Sequence, residues 1–155
     1  MPLTPIDCPS DIIFVLDQSG SIGGPNFGLM KSFLAQLVGR LDIDSGNTRV
    51  GLITFSDTIG SGFNLNTHSS VAAVQSAISS LTYSGGLTNT ADALAHVRTV
   101  MLTSAAGDRS NISNVVVVLT DGDSNNATTT QVRITQATQV SVKYIVITIT
   151  VCRRV

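Results

Sequence analysis

Oxygen-bearing side chains gather at three points of this chain, two of them directly after apolar runs. Asp17, Ser19 and Ser21 stand in DQSGS after Ile12–Leu16, Thr88 lies in SGGLTNTADAL, and Asp121 ends the run Val115–Thr120. Carboxylates and hydroxyls are the donors a hard divalent cation takes, and Mg²⁺ prefers about six of them while keeping some waters. A D-x-S-x-S turn after a strand aims alternate side chains at one point, with Gly20 permitting the sharp backbone turn. Gly85 and Gly86 give the segment before Thr88 similar freedom. Two carboxylates and three neutral hydroxyls would leave such an ion electrophilic and open to one more anionic oxygen from outside.

The elements that must position these groups alternate strand and helix. Asp11–Leu16 is a continuous apolar run, too short for a helix and bounded by turn residues, and reads as a buried strand. From Asn26 to Leu41, Phe27, Met30, Phe33, Leu34, Leu37, Val38 and Leu41 follow helical spacing. Arg49–Phe55 is the second strand, with a turn at Ser56-Asp57 and a short edge strand at Ser61–Leu65. Ser69–Leu81 is a helix with Val71, Val74, Ile78 and Leu81 on one face and Ser69 or Ser70 as N-cap. Thr90–Met101 is another, with Ala91, Leu94, Ala95 and Val97 inward. Val115–Thr120 and Tyr144–Val151 complete the strands. Ala127–Gln139 is expected to be a crossover helix on topology alone, because its β-branched residues favour helix poorly. The alternation predicts an α/β fold: a doubly wound, mostly parallel sheet flanked by helices. In such a sheet, ligands bind beyond the carboxyl ends of the strands.

Composition narrows the partners. The chain has 155 residues, 43% apolar, with nine basic and ten acidic side chains, net −1. That length suits one core. The charge gives no electrostatic case for nucleic acid or an anionic membrane. No apolar stretch reaches the roughly 20 residues of a membrane span. MPLTPIDCPSD shows no cleavable leader pattern, so a secreted form is expected to have lost its leader before this point.

Together DQSGS, GGLTNTADAL and LTDG, in this order, resemble the metal-ion-dependent adhesion site of the von Willebrand factor A (integrin I-like) family. The resemblance covers residues 10–151. It implies that Asp17, Ser19, Ser21, Thr88 and Asp121 hold Mg²⁺ or Mn²⁺, and that the metal bridges to a Glu or Asp of a partner protein. CPSDIIFVLDQSGSI is similar to the matrix and adhesion members of that family, which implies an extracellular, secreted module binding collagen or another matrix protein. Asp57 and Asp123 would stand behind the metal or on the ligand rim, with rim loops at Gly23–Phe27, Asp57–Leu65 and Asp123–Thr130. Residues 1–9 read as an N-terminal extension and 10–155 as the domain. Compared with the family the domain is expected to lack its last strand and helix, which leaves Tyr144–Val151 as an apolar edge through which copies self-associate. The family's parallel strands put Cys8 and Cys152 at opposite ends of a strand, about 20 Å apart. A disulfide spans only about 7 Å, so two free thiols are expected; in extracellular relatives a cysteine at the Cys8 position resembles half of a bridge, whose partner would lie beyond residue 155.

Plainer explanations compete. Asp17, Ser19 and Ser21 could cap the following helix, Thr88 could cap the helix at Thr90, and TDG alone is a common turn. His68 and His96 lack ligand spacing and read as surface or packing residues. Asn111-Ile112-Ser113 and Asn126-Ala127-Thr128 are N-glycosylation sequons in expected loops, and a glycan at Asn126 would crowd the metal rim. Val116–Ser124 also resembles the D-x-D motif of Mg²⁺-dependent phosphatases, with Asp121 as nucleophile and Asp123 as acid/base. No Asp or Glu follows Asp123 to complete that site, and no phosphate loop or nucleophile elbow is present. A binding module is therefore expected rather than an enzyme, with an intracellular scaffold domain of the same fold as the alternative. Asp17→Ala is expected to abolish binding without unfolding the sheet, as a surface ligand outside the core.

Overall fold

The computed structural model describes residues 9–121 and, as backbone, 142–148. Five strands form one sheet in the order β3-β2-β1-β4-β5. They are β1 (Ser10–Asp17), β2 (Thr48–Phe55), β3 (Ile59–Phe63), β4 (Ser113–Thr120) and β5 (Val142–Thr148). All neighbours run parallel except β3, which returns antiparallel beside β2. Thr48–Phe55 and Ile59–Phe63 are joined by a tight connection, as antiparallel neighbours allow, whereas each parallel pair needs a crossover.

β1 is central, and side chains bury to both sides of it. Phe14 and Leu16 pack on one face with Phe27, Met30, Leu34 and Val38 of α1 (Gly23–Val38) and with Val74 and Ile78 of α2 (Val71–Ser79). Ile13 and Val15 pack on the other with Ala93 and Leu94 of α3 (Thr90–His96), then Val97 and Met101 of the π-type turn that continues it. A strand covered on both faces is apolar at every position rather than at alternate ones. The uninterrupted runs of β1 and β4 are the sequence trace of that burial.

Several details differ from the pattern read in the sequence. Phe33 is 48% exposed, because the buried stripe of α1 runs through 27, 30, 34 and 38 and a stripe of about 100° leaves position 33 outside it. In the third helix Ala93 is buried while Ala95 is only half-buried. The helix expected over 90–101 is α-helical only to His96 before it widens into the π turn. The edge strand lies at Ile59–Phe63 rather than 61–65, so part of the expected Asp57–Leu65 rim loop is strand. Gly23–Phe27, expected as a rim loop, is the first turn of α1. Ser70 caps α2, its side chain accepting from the Ala73 N–H. The Ala127–Gln139 helix, Asp123, Asn126, Cys8 and Cys152 lie outside the described residues.

The amino ends of β1 and β4 are fastened together. Asp11 is fully buried, and Arg109, just ahead of β4, meets it at 2.6 Å. The Arg109 guanidinium also donates to the carbonyls of Ser10, Gly46 and Asn47 at 2.9–3.2 Å, and its backbone N–H donates to Asp11. A buried carboxylate is tolerable only when paired and hydrogen-bonded this fully.

Candidate functional site

β1 leads through α1 to β2 on one side, while β4 lies on its other side, so chain order reverses between β1 and β4. That reversal opens a crevice beyond the carboxyl ends of the two strands. Asp17 ends β1 and Asp121 follows β4, so both sequence-read carboxylates reach the crevice.

A chain of short hydrogen bonds links four of the five residues. Asp17 Oδ1 accepts from the Ser19 N–H at 2.8 Å, a turn closed by its own side chain. Ser19 Oγ and Ser21 Oγ are 3.1 Å apart, and Ser21 Oγ donates to Asp121 Oδ1 at 3.0 Å. Thr120 Oγ1 donates to the other Asp17 oxygen at 2.8 Å, tying the end of β4 back to β1.

Thr88 enters on a third loop, which the backbone binds to the first. Gly20 N–H donates to Gly86 O at 2.8 Å, inside DQSGS. On the other side Leu87 N–H donates to Asp57 Oδ2 at 3.1 Å and Asn89 N–H to Ser56 O at 2.9 Å. Asp57, expected at the rim, is exposed and bridges the end of β2 to the Thr88 loop. Gly86 has φ +107°, and a Cβ there would collide with the Asp57 carboxylate. Only glycine meets both demands. Thr88 itself is buried.

The capping explanations do not survive this geometry. The residue at the N-cap of α1 is Ile22, with no side-chain cap bond, so Asp17, Ser19 and Ser21 are not spent on that helix. α3 is capped by Asn89, which accepts from the Asp92 N–H, and not by Thr88. His68 packs edge-on to Phe63 at 4.8 Å, away from the cluster. Asn111 is exposed in the turn before β4, at the far end of the sheet.

One expectation is corrected here. Asp17 is 0% exposed and doubly hydrogen-bonded, so it is a buried group and not a surface residue outside the core. Alanine there would remove the acceptor of the Ser19 N–H and one partner of the Thr120 hydroxyl.

Two contributors went unread in the sequence. The Tyr83 hydroxyl donates to Ser19 O at 3.0 Å while its ring meets Phe27, bracing the DQSGS loop from α1. Thr120 sat in the quoted LTDG, but only the pairing of β1 with β4 shows its target. A threonine ending an apolar strand one residue ahead of a candidate carboxylate is the available signal for it; Tyr83 has none.

The donor set fits a hard divalent cation. Every side-chain donor is oxygen, two are carboxylates, and one hydrogen-bonded network joins strand ends from opposite sides of the crevice. Among the described residues no three carboxylate, imidazole or thiol groups converge on one point. A cation held here would therefore depend on the hydroxyls.

A family model for the von Willebrand factor type A domain matches residues 11–152, and the chain belongs to that family. It is 41% identical over 115 residues to the collagen alpha-4(VI) chain of Mus musculus, covering 73% of this chain and 5% of the collagen. Vitrin of Mus musculus is 36% identical over 115 residues, covering 74% of this chain and 18% of vitrin. The chain thus spans less than a fifth of either relative. Proximal thread matrix protein 1 from the mussel byssus, solved with a zinc-occupied MIDAS motif, superposes with TM-score 0.79 at 30% identity, covering 90% of this chain and 35% of that one. Other relatives are named as collagen chains and as von Willebrand factor A domain-containing proteins. The mussel neighbour holds a divalent metal at its motif.

Proposed function

We propose that residues 10–155 form a divalent-metal-dependent protein-binding module of an extracellular matrix protein, without catalytic activity. Asp17, Ser19, Ser21, Thr88 and Asp121 are its metal-holding residues, and Mg²⁺ or Mn²⁺ is the physiological ion. The observation that carries this reading is the Ser19–Ser21–Asp121 hydrogen-bond chain, which joins two loops 100 residues apart at the crevice. When bound, the cation supplies a Lewis-acidic position for one further anionic oxygen, here a Glu or Asp carboxylate of collagen or another matrix protein.

The chain's own residues set the terms of that contact. Asp17 and Asp121 supply two negative charges, and the three hydroxyls add none, so an incoming carboxylate meets little repulsion. Ser21 donates to Asp121 and therefore accepts from Ser19, which fixes the hydroxyl and leaves one of its lone pairs for a cation. Thr120 and the Ser19 N–H hold the Asp17 carboxylate in one orientation. Tyr83 and the Gly20–Gly86 bond keep the first and third loops together. Matrix relatives and the metal-bearing mussel neighbour support the reading.

The test is adhesion to immobilised collagen and to a panel of matrix proteins, in Mg²⁺, in Mn²⁺ and in EDTA. Binding that EDTA removes and Mg²⁺ restores, and that Asp121→Ala lacks, is the expected result. Binding indifferent to both would overturn the metal bridge.

A further inference from the structure

We infer that Asn111 carries an N-linked oligosaccharide, at the end of the sheet opposite the candidate metal site. The inference rests on the extracellular reading, because the modification needs passage through the secretory route.

Asn111-Ile112-Ser113 is an acceptor sequon, and the fold presents it. Asn111 is exposed in a turn, and Ser113, whose hydroxyl completes the sequon, is exposed at the start of β4. Among the described residues the Asn111 amide has no hydrogen-bond partner, so a glycan there displaces no bond. The turn is independently fixed: Ile112 N–H donates to Arg109 O at 2.9 Å, and Arg109 is anchored on buried Asp11. Carbohydrate on Asn111 therefore projects from a firm base without disturbing the core.

The step is a substitution at the sugar. The Asn111 Nδ2 forms a bond to the anomeric carbon of a lipid-diphosphate-linked oligosaccharide. The carbon–oxygen bond to the diphosphate breaks, the lipid diphosphate leaves with the electron pair, and one amide proton is released. Nothing is oxidised or reduced.

Placement gives the modification its meaning. Ser113 is the register partner of Ser10, so the sequon stands beside the point where β1 begins. Asp121 lies past the other end of the eight-residue β4, roughly 25 Å away at the usual strand rise. A glycan at Asn111 marks the Ser10 end as a solvent-facing pole and leaves the crevice clear for a protein ligand.

The experiment is peptide mapping of the native protein, isolated separately from extracellular matrix and from cell lysate, before and after enzymatic removal of N-glycans. Expected is an Asn111 peptide from the matrix fraction that appears only after the enzyme, with aspartate at 111. Secreted variants Asn111→Gln and Ser113→Ala should migrate faster by one glycan, whereas Ser113→Thr keeps it. An extracellular protein with unmodified Asn111 would overturn this inference and spare the extracellular reading. Protein confined to the lysate would overturn both. The Mg²⁺-induced rise in melting temperature should survive deglycosylation; its loss would overturn the separation of the two poles.

Discussion

Ser21 and Asp121 stand 100 residues apart in the chain and share a 3.0 Å hydrogen bond across the crevice between β1 and β4. Neither residue makes that bond meaningful alone. The parallel pairing of β1 with β4 brings the strand ends side by side, and the D-x-S-x-S turn swings the hydroxyl back over them.

Ser21→Ala separates metal binding from folding. It removes the exposed bond to Asp121 and the partly buried one to Ser19, so the loss of stability in EDTA should be about 1–3 kcal/mol. A cation at about 100 times its Kd adds about 2.7 kcal/mol to a folded state that alone binds it. Thermal unfolding in millimolar Mg²⁺ should show that gain in the wild type and lose most of it in the variant. An undiminished shift would remove Ser21 from the site.

Asp17 demands two variants, because it is buried. Asp17→Ala removes the acceptor of a buried backbone N–H and one partner of a threonine hydroxyl, at a cost of about 1–3 kcal/mol in EDTA. Asp17→Asn keeps an acceptor oxygen for the Ser19 N–H and should cost less, yet should lose the Mg²⁺ response as completely. Urea unfolding with and without metal distinguishes the two. Equal stability of the variants in EDTA would contradict the hydrogen-bond assignment.

Gly86→Ala tests the loop that carries Thr88. The left-handed backbone at Gly86 and the nearby Asp57 carboxylate both resist a Cβ, and strain of this kind costs on the order of 1–3 kcal/mol. The displaced loop carries Thr88, so metal affinity measured by calorimetry should weaken along with stability. A variant with normal affinity would show that Thr88 is not required.

At the opposite pole, Arg109→Ala leaves Asp11 buried without its partner. Breaking such a pair costs about 3–5 kcal/mol. The residual folded protein should still gain stability from Mg²⁺ by the wild-type increment, since Arg109 and the crevice lie at different ends of the sheet. Loss of the increment would mean that the two ends are coupled.

Much of this was legible in the residues, for identifiable reasons. β1 and β4 were readable because burial on both faces writes an unbroken apolar run. The placement of DQSGS and LTDG at strand ends was readable because there a motif and its element touch in sequence. Phe33 misled, since helical spacing marks a stripe but not how wide the neighbouring sheet makes it. Ala93 and Ala95 are indistinguishable by composition, and only the docking of α3 decides which is inward. The burial of Asp17 is not written beside it in the chain, because the Thr120 hydroxyl it accepts from arrives from another strand. Tyr83 acts through a carbonyl 64 residues away, a relation that no local pattern records.

The register of β1 has a mechanical consequence. β1 is flanked by β2 in eight aligned pairs and by β4 in seven, all parallel to it. A pull between a ligand held at the Asp17 end and the chain leading into Ser10 runs along the strand axis. The ladder bonds on both sides lie across that axis, so they are sheared together instead of being peeled open one at a time. A ligand at one pole and a load on the chain at the other would put tension on the module along its stiffest direction.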